Sequence, residues 1–98
     1  MIRHVLFVRF KADASSESID LVRTAFKKIS SKIEGIVGVE WGLNNSPENL
    51  NKGFTHCILM TFIDEIARDN YLPHPEHDSL KEVFGAVLEE IIVVDYSV

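Results

Sequence analysis

The sequence IRHVLFVRF, residues 2–10, alternates side chains of two kinds and predicts a β-strand with two unlike faces. Its even positions are uncharged and mostly bulky, and they include one histidine, His4. Its odd positions include the charged residues Arg3 and Arg9. Because the less polar face of an antiparallel strand packs on the core, we expect the even face to lie beneath helices.

The rest of the chain predicts further helices and strands in close succession. Capping residues between Asp13 and Glu17 precede an apolar repeat every three or four positions, which is typical of an amphipathic helix ending at Gly35. A short helical stretch at Asp64–Tyr71 and a longer helix from Pro75 are expected later. The apolar stripe of the first helix is Ile19, Val22, Phe26, Ile29 and Ile33, and that of the last helix is Leu80, Phe84, Val87 and Leu88. The other strands are expected at Val37–Leu43, Phe54–Phe62 and Ile91–Val98.

The order β-α-β-β-α-β predicts an α+β fold, the ferredoxin-like arrangement built on one antiparallel sheet. A chain of 98 residues has the length of one domain, so residues 1–98 are expected to form a single domain. In this topology the first and third strands lie side by side at the centre of the sheet. Both long helices cover the same face of that sheet.

The opposite face of the sheet is also expected to be apolar in its middle. Val5 and Phe7 of the first strand, and Cys57 and Leu59 of the third, lie on this face. A solvated sheet face is normally polar at these positions. We therefore expect a second copy of the chain to cover it, giving a homodimer that forms through the sheet face.

Composition excludes several classes of protein. The chain has 10 Lys and Arg against 15 Asp and Glu, a formal charge of −5, and so lacks the basic surface of a nucleic-acid-binding protein. No apolar run approaches the roughly 20 residues of a membrane-spanning helix. The single cysteine allows no internal disulfide, which favours a reducing compartment. The expectation is a cytoplasmic protein with neither a nucleic-acid nor a membrane partner.

Three histidines and a tyrosine are candidates for a functional site. His4 and His56 occupy even positions on adjacent strands, and His77 projects from the apolar stripe of the last helix. Tyr71 precedes the corner Pro73-His74-Pro75, where the chain must pack near the sheet. These side chains are expected to converge on one small-molecule pocket between sheet and helices. A histidine there could serve as a general base, with Tyr71 as its partner, without a cofactor.

Two other interpretations of the histidines remain open. Each could be a core residue hydrogen-bonded to its neighbours, with no chemical role. His4, His56 and His77 could instead bind zinc, but the sequence supports a metal site only weakly, and none is predicted. No carboxylate shares the even faces of the two central strands, and His74, although three residues before His77, lies outside the helix.

Five segments occur along the chain in the order Ile2-Arg3-His4-Val5, Val39-Glu40-Trp41-Gly42, Phe54-Thr55-His56, Tyr71-Leu72-Pro73-His74-Pro75-Glu76-His77 and Ile91–Tyr96. Through these segments the chain resembles the stress-responsive dimeric α/β-barrel domain family, Dabb, over nearly its whole length. The resemblance implies a ferredoxin-like subunit whose dimer closes two sheets into an α+β barrel. A plant cyclase of this family catalyses a cofactor-free aldol condensation, and the resemblance implies a general base at His77 and a catalytic partner at Tyr71. It also implies ligand-binding positions at His4, His56 and His74, whereas Pro73 departs from the cyclase, which has an aliphatic residue there.

The sequence thus leads to a homodimeric protein that binds an unknown small molecule. If it is an enzyme, His77 and Tyr71 are expected to perform acid–base chemistry on a carbonyl-containing metabolite, with no cofactor. The alternative is a stress-related binding or assembly protein without catalytic activity.

Overall fold

The computed structural model covers residues 1–98 and contains four strands and three helices. No helix combines the length and the apolar character needed to cross a membrane. The elements are β1 (Ile2–Phe10), α1 (Ser16–Ile29), β2 (Ile36–Leu43), β3 (His56–Phe62), α2 (Glu65–Tyr71), α3 (Pro75–Gly85) and β4 (Leu88–Ser97).

The four strands form one antiparallel sheet in the order β2-β3-β1-β4. β1 and β3 are therefore the central strands, as the sequence predicts for the ferredoxin-like fold. The register places His4 opposite Met60 of β3 on one side and opposite Asp95 of β4 on the other. Because these residues sit at the same level of the sheet, their side chains lie on the same face.

The even face of β1 is buried beneath the helices, as expected. Ile2, Leu6 and Val8 of β1 are part of one core with the buried stripe of α1 and the helix-facing side of β3. The opposite face carries no helix. We call this the open sheet face, and its exposed apolar residues are Phe7, Ile92, Val94 and Tyr96, with Val5, Cys57 and Leu59 half-buried among them.

Two helix ends differ from the sequence-based expectation. α1 ends at Ile29 instead of Gly35, because the hydroxyls of Ser30 and Ser31 donate back to the carbonyls of Lys27 and Lys28. Such local hydrogen bonds compete with helix propagation. α3 ends at Gly85, so Val87 and Leu88 are not part of its apolar stripe. Leu88 instead pairs with Phe10 of β1 at an irregularity that starts β4.

Gly35 connects α1 to β2 in a conformation that strongly favours glycine. Its φ is +89°, and a Cβ atom there would lie 2.5 Å from Cβ of Ala67 in α2. Its carbonyl accepts a hydrogen bond from the backbone N–H of Ile63 at 2.8 Å. The turn therefore fixes how closely α2 approaches the start of β2.

We predict that Gly35→Ala lowers the free energy of unfolding by about 2 kcal/mol or more, through the positive φ and the contact with Ala67. Urea denaturation measures this change. Gly85→Ala is the matched control, because its φ is not positive and a Cβ there meets nothing within 4 Å. We expect the control to be neutral or to stabilise by up to about 1 kcal/mol. Equal stability of the two variants would contradict the close approach at Gly35.

Candidate functional site

A cavity of about 390 Å³ lies between α3 and the helix-facing side of β1 and β4. Its walls are mainly apolar, with few polar groups, which is the usual composition of a small-molecule pocket. We call it the α3 cavity. Its lining residues are His4, Leu6, Phe26, Tyr71, Leu72, His77, Leu80, Lys81, Phe84, Gly85, Leu88, Ile91 and Val93.

The corner between α2 and α3 brings Tyr71 and His77 together. α2 ends at Tyr71, and α3 begins at Pro75, which suits a first helical position because it has no N–H to satisfy. His74 caps α3, since its Nδ1 accepts a hydrogen bond from the backbone N–H of Glu76 at 3.0 Å. The result is that the rings of Tyr71 and His77 lie with their centroids 4.3 Å apart.

The His77 ring is held in one tautomer. Its Nδ1 lies 2.7 Å from the backbone carbonyl of Leu72, which can only accept, so Nδ1 carries the proton. In the neutral ring Nε2 is then an unprotonated acceptor. Burial lowers the pKa of His77 below its usual value, and the positive charge of Lys81 acts in the same direction. The neutral form, with the lone pair on Nε2, therefore predominates at neutral pH.

Tyr71 supplies the complementary group, a protonated phenol. Its side chain is almost completely buried, and burial raises the pKa of Tyr71 well above its usual value. The hydroxyl thus keeps its proton through the neutral and alkaline range. Burial has opposite effects on the two pKa values because it disfavours the charged form of each group, phenolate or imidazolium.

His4 lines the same cavity and is hydrogen-bonded to an Asp95–Arg68 ion pair. Its Nδ1 lies 2.7 Å from Asp95 Oδ1, and Asp95 Oδ2 lies 3.2 Å from the guanidinium of Arg68. Arg68 also contacts Asp69 through Nε at 2.9 Å. The Asp95 carboxylate accepts a hydrogen bond from Nδ1 of His4. The His4 and Tyr71 rings stand edge to face with centroids 6.1 Å apart.

Asp95 and Arg68 were not predicted from the sequence. The alternation of side chains along β4 does indicate the position of Asp95. Ile91 and Val93 face the helices, and Asp95 lies on the same side of the strand. Asp95 lies on β4, an edge strand beside the two central strands. Arg68 could not have been found in this way, because its contact with Asp95 spans α2 and β4, which are distant in sequence.

Two predicted site residues lie outside the α3 cavity. His56 pairs with Val8 near the other end of the sheet, where its ring contacts Phe10 and Trp41 at centroid distances of 4.9 and 5.3 Å. Burial lowers its pKa, and its Nδ1 lies 2.7 Å from the Thr55 hydroxyl. His74 is the N-cap of α3. The expected convergence of His4, His56 and His77 therefore holds only for His4 and His77.

The three-histidine zinc site considered from the sequence is not assembled. His56 is separated from His4 and His77, which share the α3 cavity. No group of three or more His, Cys, Asp or Glu side chains is placed to hold a metal ion. The polar groups of the cavity instead form a set of two imidazoles, one phenol and one ammonium group.

Comparisons with known proteins place this geometry in a family. The model of the stress responsive A/B barrel domain, Dabb, matches residues 2–98. The stress-response A/B barrel domain-containing protein HS1 of Arabidopsis thaliana is 33% identical over 95 residues, covering 97% of this chain and 87% of that protein. Olivetolic acid cyclase of Cannabis sativa is 22% identical over 96 residues, covering 98% and 95% respectively.

Solved structures agree with these sequence matches. Hydroxynitrile lyase of Passiflora edulis superposes with a TM-score of 0.90 at 26% identity, covering 97% of this chain and 90% of the lyase. Ferredoxin-like proteins of unknown function from Bacteroides fragilis and a Jannaschia species share the fold and are described as dimeric. The match over residues 2–98 and the identity to HS1 establish that the chain belongs to the stress-responsive A/B barrel domain family.

Proposed function

We propose that the α3 cavity binds an apolar, carbonyl-containing small molecule and that His77 removes a proton from the carbon next to its carbonyl group. The observation that carries this proposal is the pairing of a neutral His77, with Nδ1 bound to Leu72, and a protonated Tyr71 in one cavity. One group accepts a proton while the other donates a hydrogen bond. Enolisation requires both functions and no cofactor.

In the proposed step Nε2 of His77 accepts the proton from the substrate carbon. The electron pair of the broken C–H bond forms the C=C bond of an enolate, and the carbonyl π electrons move onto oxygen. The Tyr71 hydroxyl donates a hydrogen bond to this oxygen, where the negative charge develops. The enolate then attacks an electrophilic carbon or takes a proton back from His77.

His4 has a supporting part in this proposal. Its link through Asp95 to Arg68 fixes the orientation of the ring. His4 thus adds a second imidazole, which can hold a proton at the opposite side of the cavity from α3. Two relatives, olivetolic acid cyclase and a hydroxynitrile lyase, are named as enzymes, which supports a catalytic role for this fold.

We further propose a homodimer that forms through the open sheet face. Phe7, Ile92, Val94 and Tyr96 expose between 40% and 49% of their surface there, side by side on β1 and β4. Contiguous apolar patches of this kind mark interaction surfaces on soluble proteins. The family relatives described as dimeric support the same arrangement. The two helix-covered faces, each with its α3 cavity, would then lie on the outside of the dimer.

The first prediction from the proposed function concerns proton exchange. In D₂O the protein should accelerate exchange of the methylene protons of phenylacetone or of the protons beside the carbonyl of octan-2-one, as followed by ¹H NMR. His77→Asn should lower the rate by about 10²-fold or more, because asparagine can still donate to the Leu72 carbonyl but is no base. Tyr71→Phe should lower it by about 10²-fold, through loss of the oxyanion donor.

His56→Asn is the matched control, because His56 is a half-buried histidine outside the α3 cavity. We expect it to exchange both ketones at the wild-type rate. If neither ketone exchanges faster with the wild type than with His77→Asn, the proposed proton transfer is wrong. Saturable binding of the ketones without exchange would instead favour the alternative, a stress-related binding protein.

The second prediction concerns pH. Because burial lowers the pKa of His77, the exchange rate should rise through a single transition below pH 6.5 and then remain constant through neutral pH. The raised pKa of Tyr71 removes any fall on the alkaline side up to about pH 10. Rates corrected for buffer catalysis at each pH test this profile, and a midpoint clearly above pH 6.5 would contradict the assignment of His77 as the base.

The third prediction concerns the dimer. Val94→Lys should convert the dimer to a folded monomer, because it places a charge in the middle of the open sheet face. Analytical ultracentrifugation measures the change in mass. Ile66→Lys on α2 is the matched control, since Ile66 is equally apolar and more exposed but lies away from this face. A wild-type protein that is monomeric at micromolar concentration would contradict the proposal.

A further inference from the structure

The α3 cavity has one feature that proton abstraction does not use, the ammonium group of Lys81. Lys81 lies four residues after His77 on α3, so the two side chains share one face of the helix. It is the only lysine or arginine among the lining residues. The walls beside it are apolar, from Leu72 and Leu80 to Phe84. A single positive charge therefore stands at the edge of an apolar cavity.

Lys81 is also available to a ligand. Its one ion pair is with Asp78 at 3.4 Å, three residues earlier on the same helix, and both side chains are at least 60% exposed. Exposed ion pairs of this kind are weak, so a ligand anion can replace Asp78. The other nearby cation, Arg68, is already paired with Asp69 and Asp95.

The chain as a whole does not attract anions, since its formal charge is −5. A negatively charged ligand would need a local partner to enter the cavity. Lys81 provides that partner beside the proposed base, and its reach along the helix face places a bound anion on the His77 side of the cavity.

We propose that Lys81 determines substrate specificity by binding a carboxylate, so that the α3 cavity selects a small molecule with an apolar body, a carbonyl group and one carboxylate. This inference rests on the proposed function of the cavity. It names the substrate class, and it assigns Lys81 to recognition and His77 to chemistry. Hydrophobic walls hold the body of the molecule while the single cation orients its charged end.

A bound carboxylate would also affect the base. His77 is faced by Lys81 and Asp78 on α3 and by His4 on β1, and of these Lys81 and His4 lower its pKa whereas Asp78 raises it. Neutralising Lys81 with an anion removes one lowering contribution. The carboxylate would therefore make His77 a stronger base in the complex than in the free protein.

Two isosteric probes test the recognition directly, 3-phenylpropanoate and its neutral amide, 3-phenylpropanamide. Titrations at pH 7.5 followed by NMR of the His77 ring give a Kd for each. The wild type should bind the carboxylate at least about fivefold more tightly than the amide, and 0.5 M NaCl should reduce this preference. Lys81→Gln should abolish the preference and leave the Kd of the amide unchanged. Lys27→Gln, an exposed lysine of α1 outside every cavity, should behave as the wild type.

A second measurement separates this inference from the proposed function. Exchange of the neutral ketone phenylacetone by the wild type reports on the proton transfer alone, because that probe has no carboxylate for Lys81 to bind. Equal affinity of the wild type for carboxylate and amide, together with normal ketone exchange, would overturn the role of Lys81 alone. Loss of ketone exchange in the wild type, with the carboxylate preference intact, would overturn the proton transfer and keep the recognition site.

Discussion

The structure depends on the burial of one face of β1 while the strand is hydrogen-bonded on both sides. β3 and β4 fix its register, and the helices cover its even positions. The same constraint that packs Leu6 and Val8 into the core also directs His4 inward, beside Asp95. It leaves the odd positions, Phe7 among them, on a face with no helix. Site and proposed interface are thus the two faces of one strand.

The parts of the site that could be predicted from sequence are those set by local periodicity. The alternation of β1 determines that His4 faces the helices, and the turn containing Pro75 determines that His77 and Tyr71 meet at a helix junction. Periodicity gives the face of a strand but not the level along it. His56 is opposite Val8, four residues from His4, a separation of about 13 Å along the strand. It therefore shares the face and not the cavity.

Other features depend on choices between competing local interactions. His74 belongs to the same sequence motif as His77. Its ring nevertheless caps α3, because the backbone N–H groups of a first helical turn need an acceptor. α1 stops before Gly35 because two serine hydroxyls bind its last carbonyls. Competing local hydrogen bonds of this kind differ little in free energy. Residue type alone therefore does not determine which of them forms. Asp95 was missed for another reason, since it lies on an edge strand.

The chemistry of the cavity follows from burial more than from charge. A proton acceptor and a hydrogen-bond donor must be present together at one pH, and in water a histidine, with a reference pKa of about 6.5, is still partly charged near neutral pH. Transfer from water to an apolar site favours the uncharged form of each, so a single physical effect yields a neutral imidazole beside a neutral phenol. The Leu72 carbonyl then determines which nitrogen of His77 is free. A backbone atom at the corner between α2 and α3 thus directs the lone pair on which the proposed reaction depends.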